Sequence, residues 1–407
     1  MIKKKFQTLK GFRDFLPQEA KKRQWLKDKM VTVFESWGYQ PIETPTLEYL
    51  ELFQGQIGED EKLFYQFKDL GGRQVAMRYD QTVPTCRFIG NHFNDLTFPF
   101  RRYQIQSVFR ADKPQKGRYR EFLHSDLDIF GVFSPAADAE IISVSLDLYQ
   151  KMGFKNVVAK INNRDLMKDI PYPVLASVDK LGKIGEGEVL EEIRAKGIGE
   201  KEAKEYLRKI KNLKPDQTLK MIFNYLRAAG FADRHYQFQP TLARAFSYSQ
   251  GPIWEFVIPQ YEYGSVGGGE RYDRLLQKIS GQNIGGTGVG IGFERTLEAA
   301  EKMGLIPDLN KTVKVLLTVF NKQLLSSSLE MAKRIREKGI SAEVYPQPDE
   351  KLATQLNYAN KKGILWAVII GPDEMKQNKA ALKNMKTGRQ KILLLEEVPK
   401  FIGNSRL

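Results

Sequence analysis

Strand-type patterns occupy two separate stretches of this chain, and a charged stretch lies between them. Short apolar or alternating runs occur up to about residue 132 and return within residues 253–292, where glycine is dense. Between residues 165 and 232, Lys, Glu, Leu and Ile dominate, as in short charged helices. Because alternation with period two indicates half-buried strands, we predict one antiparallel sheet whose sequence is interrupted by a helical insertion.

The last 95 or so residues follow a different pattern, in which strand-type and helix-type segments alternate. Alternation of this kind is typical of a separate α/β domain, so the whole chain belongs to the α+β class. Strands are expected at residues 313–320, 341–345 and 365–370, and helices at residues 322–338 and 352–362. The predicted divisions are residues 1–164 and 233–308 for the sheet core, 165–232 for the insertion and 312–407 for the C-terminal domain.

Composition favours a polyanionic partner and argues against several other classes. Lys and Arg total 64 against 49 Asp and Glu, for a formal charge of +15, which suits nucleic acid or nucleotide; a basic surface with no such partner remains the alternative. The single cysteine, Cys86, and three dispersed histidines predict neither a disulfide framework nor a protein-only metal site. No secretory signal or run of about 18 apolar residues occurs, so we expect a cytoplasmic protein without membrane spans.

The most informative segment comprises two strand-type runs joined by a cationic loop, residues 108–131. Arg110 stands near the end of the first run and Phe122 near the start of the second. A planar guanidinium can hold two phosphate oxygens at once, and an aromatic ring offers a stacking surface. The segment alone fits either a site for ATP or a basic hairpin exposed to solvent.

Motifs elsewhere give this segment a specific meaning. Phe109-Arg-Ala-Asp112 with Arg118 and Phe122 resembles motif 2 of class II aminoacyl-tRNA synthetases, and Gly290-Ile-Gly-Phe-Glu-Arg295 resembles motif 3. Ile42-Glu-Thr-Pro45 resembles motif 1, whose proline lies at the dimer interface in that class. Within the class the chain is similar to histidyl-tRNA synthetases over nearly its whole length, through Gly11-Phe-Arg-Asp14, Arg78-Tyr-Asp-Gln-Thr82, Lys113-Pro-Gln-Lys-Gly-Arg-Tyr-Arg120 and Leu242-Ala-Arg244.

The resemblance implies a class II sheet core, a C-terminal anticodon-binding domain, a homodimer, and ATP with Mg²⁺ as the nucleotide substrate. It implies that Arg110 and Arg244 are catalytic at the α-phosphate, where they neutralise charge in the transition state. Phe122 would stack on adenine, and Arg118 and Arg295 would hold the outer phosphates. The remaining ATP-binding positions are Asp112 and Glu294, and Glu294 would either bind metal or only orient Arg295.

The same resemblance implies a histidine pocket and a contact with tRNA(His). Asp80, Gln81 and Thr82 would receive the α-amino group, and Asp128 would accept a hydrogen bond from the imidazole ring. Lys113 and Gln115 would meet the tRNA acceptor end. The other implied histidine-pocket positions are His124, Tyr248 and Ser249.

Three changes in the histidine pocket depart from the pattern of the family. Arg244-Ala-Phe-Ser-Tyr-Ser249 stands where the family reads Arg-Gly-Leu-Asp-Tyr-Tyr, so that Ser249 replaces a tyrosine that bonds the ring. His124 replaces a glutamine, and Glu270 replaces a glycine. A histidine-tRNA ligase is the favoured function. The alternative is a paralogue with changed amino-acid specificity or a non-catalytic regulatory or binding role.

Overall fold

The chain folds into two units, Met1–Pro307 and Asp308–Leu407. The computed structural model describes residues 6–56, 58–113, 119–244, 249–309 and 313–404. Within these ranges, no helix combines the length and the apolar character needed to cross a membrane.

Nine helices of the first unit are described, and they carry the labels α1 to α9 in chain order. They are α1 Pro17–Ser36, α2 Thr82–Asn91, α3 Pro135–Lys151, α4 Tyr172–Val178, α5 Leu181–Ala195, α6 Glu200–Lys211, α7 Gln217–Ala228, α8 Asp273–Ser280 and α9 Phe293–Lys302.

The strands described in the first unit form a large sheet and a small one. They are β1 Gln40–Pro41, β2 Leu47–Tyr49, β3 Gln66–Lys68, β4 Gln74–Met77, β5 Phe100–Phe109, β6 Glu121–Phe130, β7 Val158–Asn163, β8 Tyr236–Phe238, β9 Gln250–Val257, β10 Gly267–Arg271 and β11 Gly286–Gly292. The large sheet has the order β1-β5-β6-β11-β10-β9-β7-β8, and the small one has the order β2-β4-β3. From β5 to β7 all neighbours are antiparallel, which confirms the predicted core; the two edge pairs are parallel.

Helix α1 illustrates how the sequence produces this core. Leu26, Met30 and Phe34 recur at helical spacing and are fully buried against the sheet. The helix ends at Ser36, and Gly38 then adopts φ +81°. A side chain rarely tolerates that angle, so glycine stops the helix and turns the chain into β1.

Four helices, α4 to α7, lie within the predicted insertion. The first three bury residues such as Val174, Val189 and Leu207 in a hydrophobic cluster, separate from the main core, that also includes Ile253 of β9. Helix α7 differs, because Leu219 and Ile222 join the main core beside α3. The boundaries 165–232 stay a prediction, but α7 packs as part of the sheet core.

The second unit is the expected α/β domain. Its described elements are β12 Val315–Leu317, α10 Leu325–Glu337, β13 Ala342–Val344, α11 Leu352–Lys362, β14 Trp366–Ile369, α12 Pro372–Lys376, β15 Lys379–Asn384, β16 Gln390–Leu394 and α13 Val398–Asn404. The sheet order is β13-β12-β14-β15-β16, with parallel pairs around β12 and antiparallel pairs after β14. The sequence analysis did not predict β15 and β16.

Candidate active site

One face of strand β11 lacks side chains, and this face forms the floor of the site. Val289 and Ile291 point into the core, whereas Gly286, Gly288, Gly290 and Gly292 face the other side because side chains alternate along a strand. Gly288 pairs with Asp128 of β6 on one side and with Glu270 of β10 on the other. Residues paired in this way share a face, so two carboxylates flank a bare glycine.

Neighbouring side chains require these glycines. A methyl group on Gly288 would overlap Oδ1 of Asp128, and one on Gly268 would overlap the guanidinium of Arg244. Above this floor lies a cavity of about 430 Å³. Ten predicted site residues line the cavity with Glu270, namely Asp80, Thr82, Arg110, Asp112, Phe122, His124, Asp128, Arg244, Glu294 and Arg295.

Arg110 is held between two aromatic rings. Its Nε donates to the carbonyl oxygen of Tyr79 at 3.1 Å. Its guanidinium carbon lies 4.3 Å from the Tyr79 ring centroid and 5.3 Å from that of Phe122. These contacts hold the guanidinium beside the ring of Phe122. A nucleotide site needs such a cation next to a stacking surface.

Arg295 begins helix α9 together with Glu294, but the two side chains have different partners. Nη1 of Arg295 donates to the carbonyl oxygen of Ser265 at 2.9 Å, which fixes the guanidinium at the rim of the cavity. Glu294 contacts the N-terminal segment instead: its Oε2 lies 2.7 Å from Nη1 of Arg23 and 3.1 Å from Nη2 of Arg13. Glu294 also lines the cavity.

Glu294 is paired with two arginines, and its predicted role in ATP binding stays a prediction. Burial alone would raise the pKa of Glu294, but the Arg23 and Arg13 guanidinium groups outweigh it and hold the pKa below the usual value. Charge-assisted contacts of this kind are strong, so Glu294 orients both arginines beside the site. Arg13 in turn lies 3.3 Å from the ring centroid of Tyr119, beside the motif 2 loop.

Arg244 is positioned by its own backbone and by three carboxylates. Its φ is +43°, and its N–H donates to Asp179 at 2.8 Å. Its Nε and Nη2 each lie 3.4 Å from an oxygen of Glu270, and its Nη1 lies 4.0 Å from Oε1 of Glu255. Strained backbone of this kind is retained where function requires one side-chain direction.

Ser249 does not line the cavity. Its hydroxyl donates to Oε2 of Glu270 in a short hydrogen bond, and the residue is buried. The hydroxyl of Ser249 is thus engaged by Glu270, and the predicted role of Ser249 in binding the substrate ring stays a prediction.

The start of helix α2 brings Asp80 and Thr82 to the cavity wall. Desolvation raises the pKa of Asp80 from 3.8 to about 6, against the hydrogen bond from the Val83 N–H and the charge of Arg110. Gln81 is different: it is fully buried, and its amide donates to the carbonyl oxygens of Gln106 and His124. The Gln81 amide nitrogen therefore links α2 to the sheet, and the predicted contact of Gln81 with substrate stays a prediction.

A polar network on β5 and β6 supports the pocket. Nη2 of Arg102 lies 2.5 Å from Oδ2 of Asp128, and the hydroxyl of Tyr272 donates to Oδ1. Burial raises the pKa of Asp128 to about 6, although Arg102 opposes it. His124 Nδ1 lies 2.5 Å from Oδ1 of Asp126 on the same strand.

The remaining predicted residues are placed only in part. Lys113 is exposed at the edge of the motif 2 loop, while Gln115, Arg118 and Tyr248 lie outside the described residues. The sequence analysis missed several residues that shape the site, namely Arg13, Arg23, Arg102, Asp126 and Tyr272. Arg13 lies in the quoted Gly11-Phe-Arg-Asp14 motif, so its presence there was the available signal.

Comparisons with known proteins agree over nearly the whole chain. Residues 11–180 match the family model described as histidyl-tRNA synthetase, and residues 314–405 match that of an anticodon binding domain. The chain is 37% identical over 420 residues to the histidine–tRNA ligase of Wolinella succinogenes, covering 94% of this chain and 95% of that protein. Identity to the Rhodopirellula baltica ligase is 36%, with 93% of each chain covered.

A solved structure is similar in fold and sequence. The histidyl-tRNA synthetase from Nostoc sp. PCC 7120 superposes with a TM-score of 0.80 at 26% identity. The similarity covers 98% of this chain and 99% of that one. The likeness therefore covers both units, including helices α4 to α7 of the first unit.

Proposed function

The chain belongs to the histidyl-tRNA synthetase family, and from this membership we propose that it uses ATP to activate histidine and then loads it onto tRNA(His). In the first step a carboxylate oxygen of histidine attacks the α-phosphorus of ATP, the bond to the β-phosphate breaks, and pyrophosphate leaves. In the second step a ribose hydroxyl of the 3′-terminal adenosine attacks the histidyl carbonyl, and AMP leaves.

The observation that carries this proposal is the joint placement of Arg110, Arg244, Asp80 and Asp128 around one cavity. The two arginines approach from different elements, Arg110 from the end of β5 and Arg244 from the segment before β9. Fixed cations near the α-phosphate stabilise the charge that develops there, and a preorganised group of this kind contributes about 10²–10³-fold in rate. Phe122 supplies the stacking surface for adenine.

The acidic groups recognise the amino acid. Asp80 and Thr82 offer a carboxylate and a hydroxyl to the substrate ammonium group. Asp128, oriented by Arg102 and Tyr272, accepts from a ring nitrogen, and a carboxylate held there disfavours apolar side chains of similar size. The alternative of a non-catalytic paralogue is not favoured, since the phosphate arginines and the relatives named ligases support the enzyme.

Magnesium enters the proposed reaction as part of the nucleotide substrate. Among the described residues, no group of three or more His, Cys, Asp or Glu side chains is suited to holding a metal ion, and Glu294 is paired with two arginines. We therefore assign MgATP as the substrate, with the ion held by phosphate oxygens.

The second unit supplies contact with tRNA in this proposal. Its match to an anticodon-binding model supports recognition of the anticodon stem-loop, and the formal charge of +15 suits a polyanion. Lys113 and Gln115 are proposed to meet the acceptor end. We further propose a homodimer formed through the region of Pro45 and a cytoplasmic location. The proposed domain division is residues 1–164, 165–232, 233–308 and 312–407.

Charging of tRNA tests this function. Purified protein is incubated with MgATP, radiolabelled histidine and tRNA(His), and acid-precipitable label is counted. Label should accumulate with tRNA(His) and stay at background with a tRNA of another identity. Background label with both would reject the proposal.

A further inference from the structure

Glu270 faces the substrate pocket directly across from Asp128. The pairing β6-β11-β10 puts Asp128, Gly288 and Glu270 in one row on one face of the sheet. Two strand spacings put their Cα atoms about 10 Å apart, and Gly288 contributes no side chain to the gap. Both carboxylates line the cavity, so a small ring between them would meet an acceptor on each side.

The contacts of Glu270 orient its carboxylate but do not use all of its capacity to accept hydrogen bonds. The residue is only 7% exposed, and a buried carboxylate requires donors. Ser249 donates to Oε2. Arg244 approaches both oxygens at 3.4 Å, whereas a charge-assisted hydrogen bond is about 2.7–2.9 Å long. The arginine contact is thus long for a purely structural ion pair, and the carboxylate retains accepting capacity toward the cavity.

We propose that Glu270 is a specificity-determining residue that accepts a hydrogen bond from the histidine ring nitrogen directed away from Asp128. This inference rests on the proposed function, because it takes histidine as the substrate. An imidazolium ring donates at both nitrogens, whereas a neutral ring donates at one and accepts at the other. The pair Asp128 and Glu270 therefore selects a ring that presents two donors.

The test compares histidine with 1,2,4-triazole-3-alanine, an analogue of the same size whose ring stays neutral at pH 7 and has one donor. Michaelis constants for both are measured by pyrophosphate exchange. The wild type should prefer histidine over the analogue by about 10–100-fold, the effect of one lost hydrogen bond to a charged group. Glu270→Gln, whose amide can donate to a ring nitrogen, should narrow this preference to within a few-fold.

Glu255→Gln is the matched control, because Glu255 lies on β9 beside Arg244 but does not line the cavity. This variant should keep the wild-type preference. If Glu270 served only to position Arg244, both variants would lower kcat and neither would change the ratio of the two Michaelis constants; that result would overturn the inference. A wild type inactive with histidine would instead reject the proposed function.

Glu270→Asp keeps the inference testable if the glutamine variant does not fold. It retains the charge but withdraws it by one methylene group. The Michaelis constant for histidine should rise about tenfold, while that for ATP stays unchanged. An unchanged histidine constant would overturn the proposal.

Discussion

Nη1 of Arg23 lies 2.7 Å from Oε2 of Glu294, and this contact joins helix α1 to the start of helix α9. Both side chains are nearly buried, at 12% and 13% exposure. Arg13 adds a second cation to the same carboxylate oxygen. The N-terminal segment is thus fixed against motif 3 beside the cavity.

Glu294→Gln should destabilise the first unit. Removing one partner of a buried pair leaves the guanidinium groups without their counter-charge, and we expect a loss of about 2–3 kcal/mol in the free energy of unfolding. Urea unfolding of the variant and the wild type measures this difference in the free energy of unfolding.

Glu301→Gln is the control for this change. Glu301 stands on the same helix and pairs with Lys22 of α1, but it is 54% exposed. The expected loss is below about 1 kcal/mol. Equal losses in the two variants would contradict the structural role of Glu294.

Gly288→Ala should impair histidine binding selectively. The added methyl group would overlap Oδ1 of Asp128 and displace that carboxylate from Arg102 and Tyr272. We expect the Michaelis constant for histidine to rise about tenfold or more, with a smaller effect on that for ATP. Pyrophosphate exchange measures both constants.

Gly187→Ala provides the comparison, since the new methyl group there has no heavy atom within 4 Å and alanine favours a helix. Both Michaelis constants should stay at the wild-type values in this variant. An unchanged histidine constant in Gly288→Ala would show that the glycine floor does not matter for the substrate.

Asp80→Asn should stabilise the protein near pH 7.5. The folded pKa of Asp80 is about 6, above the usual 3.8 of an aspartate, so the folded state binds more protons between these values. The contribution of Asp80 to the free energy of unfolding therefore falls as pH rises from about 3.8 to about 6, and it stays low above pH 6. The neutral amide avoids this cost, and two pKa units correspond to a gain of about 2–3 kcal/mol.

Urea unfolding at pH 5 and pH 7.5 measures this gain. The difference between Asp80→Asn and the wild type should shrink at pH 5, where Asp80 is largely protonated. A difference for Asp80→Asn that is the same at both pH values would contradict the assigned pKa.

Local patterns predicted much of the fold. Helix α1 followed from apolar spacing and Gly38, and helix α11 begins and ends where the sequence indicated. Strands β15 and β16 were missed for different reasons. Lysine and asparagine obscure the alternation of β15 at residues 379–384, whereas β16 at residues 390–394 is a short, mostly exposed edge strand. Edge strands carry weak patterns since only part of each is buried.

The site was harder to predict where partners are distant in sequence. The family motifs brought Arg110, Asp80, Asp128 and Arg244 together correctly around one cavity. They did not reveal that Glu294 meets Arg23, 271 positions away in the chain. The row that places Glu270 opposite Asp128 depends on strand order, which no local pattern contains.

The most direct test of the central claim is ATP–pyrophosphate exchange with each of the twenty amino acids, on the wild type and on Arg244→Ala. Exchange with histidine alone, reduced about 10²–10³-fold in the variant, is the predicted result. Exchange driven by another amino acid, by none, or equally in both proteins would contradict the assignment of histidine activation to this cavity.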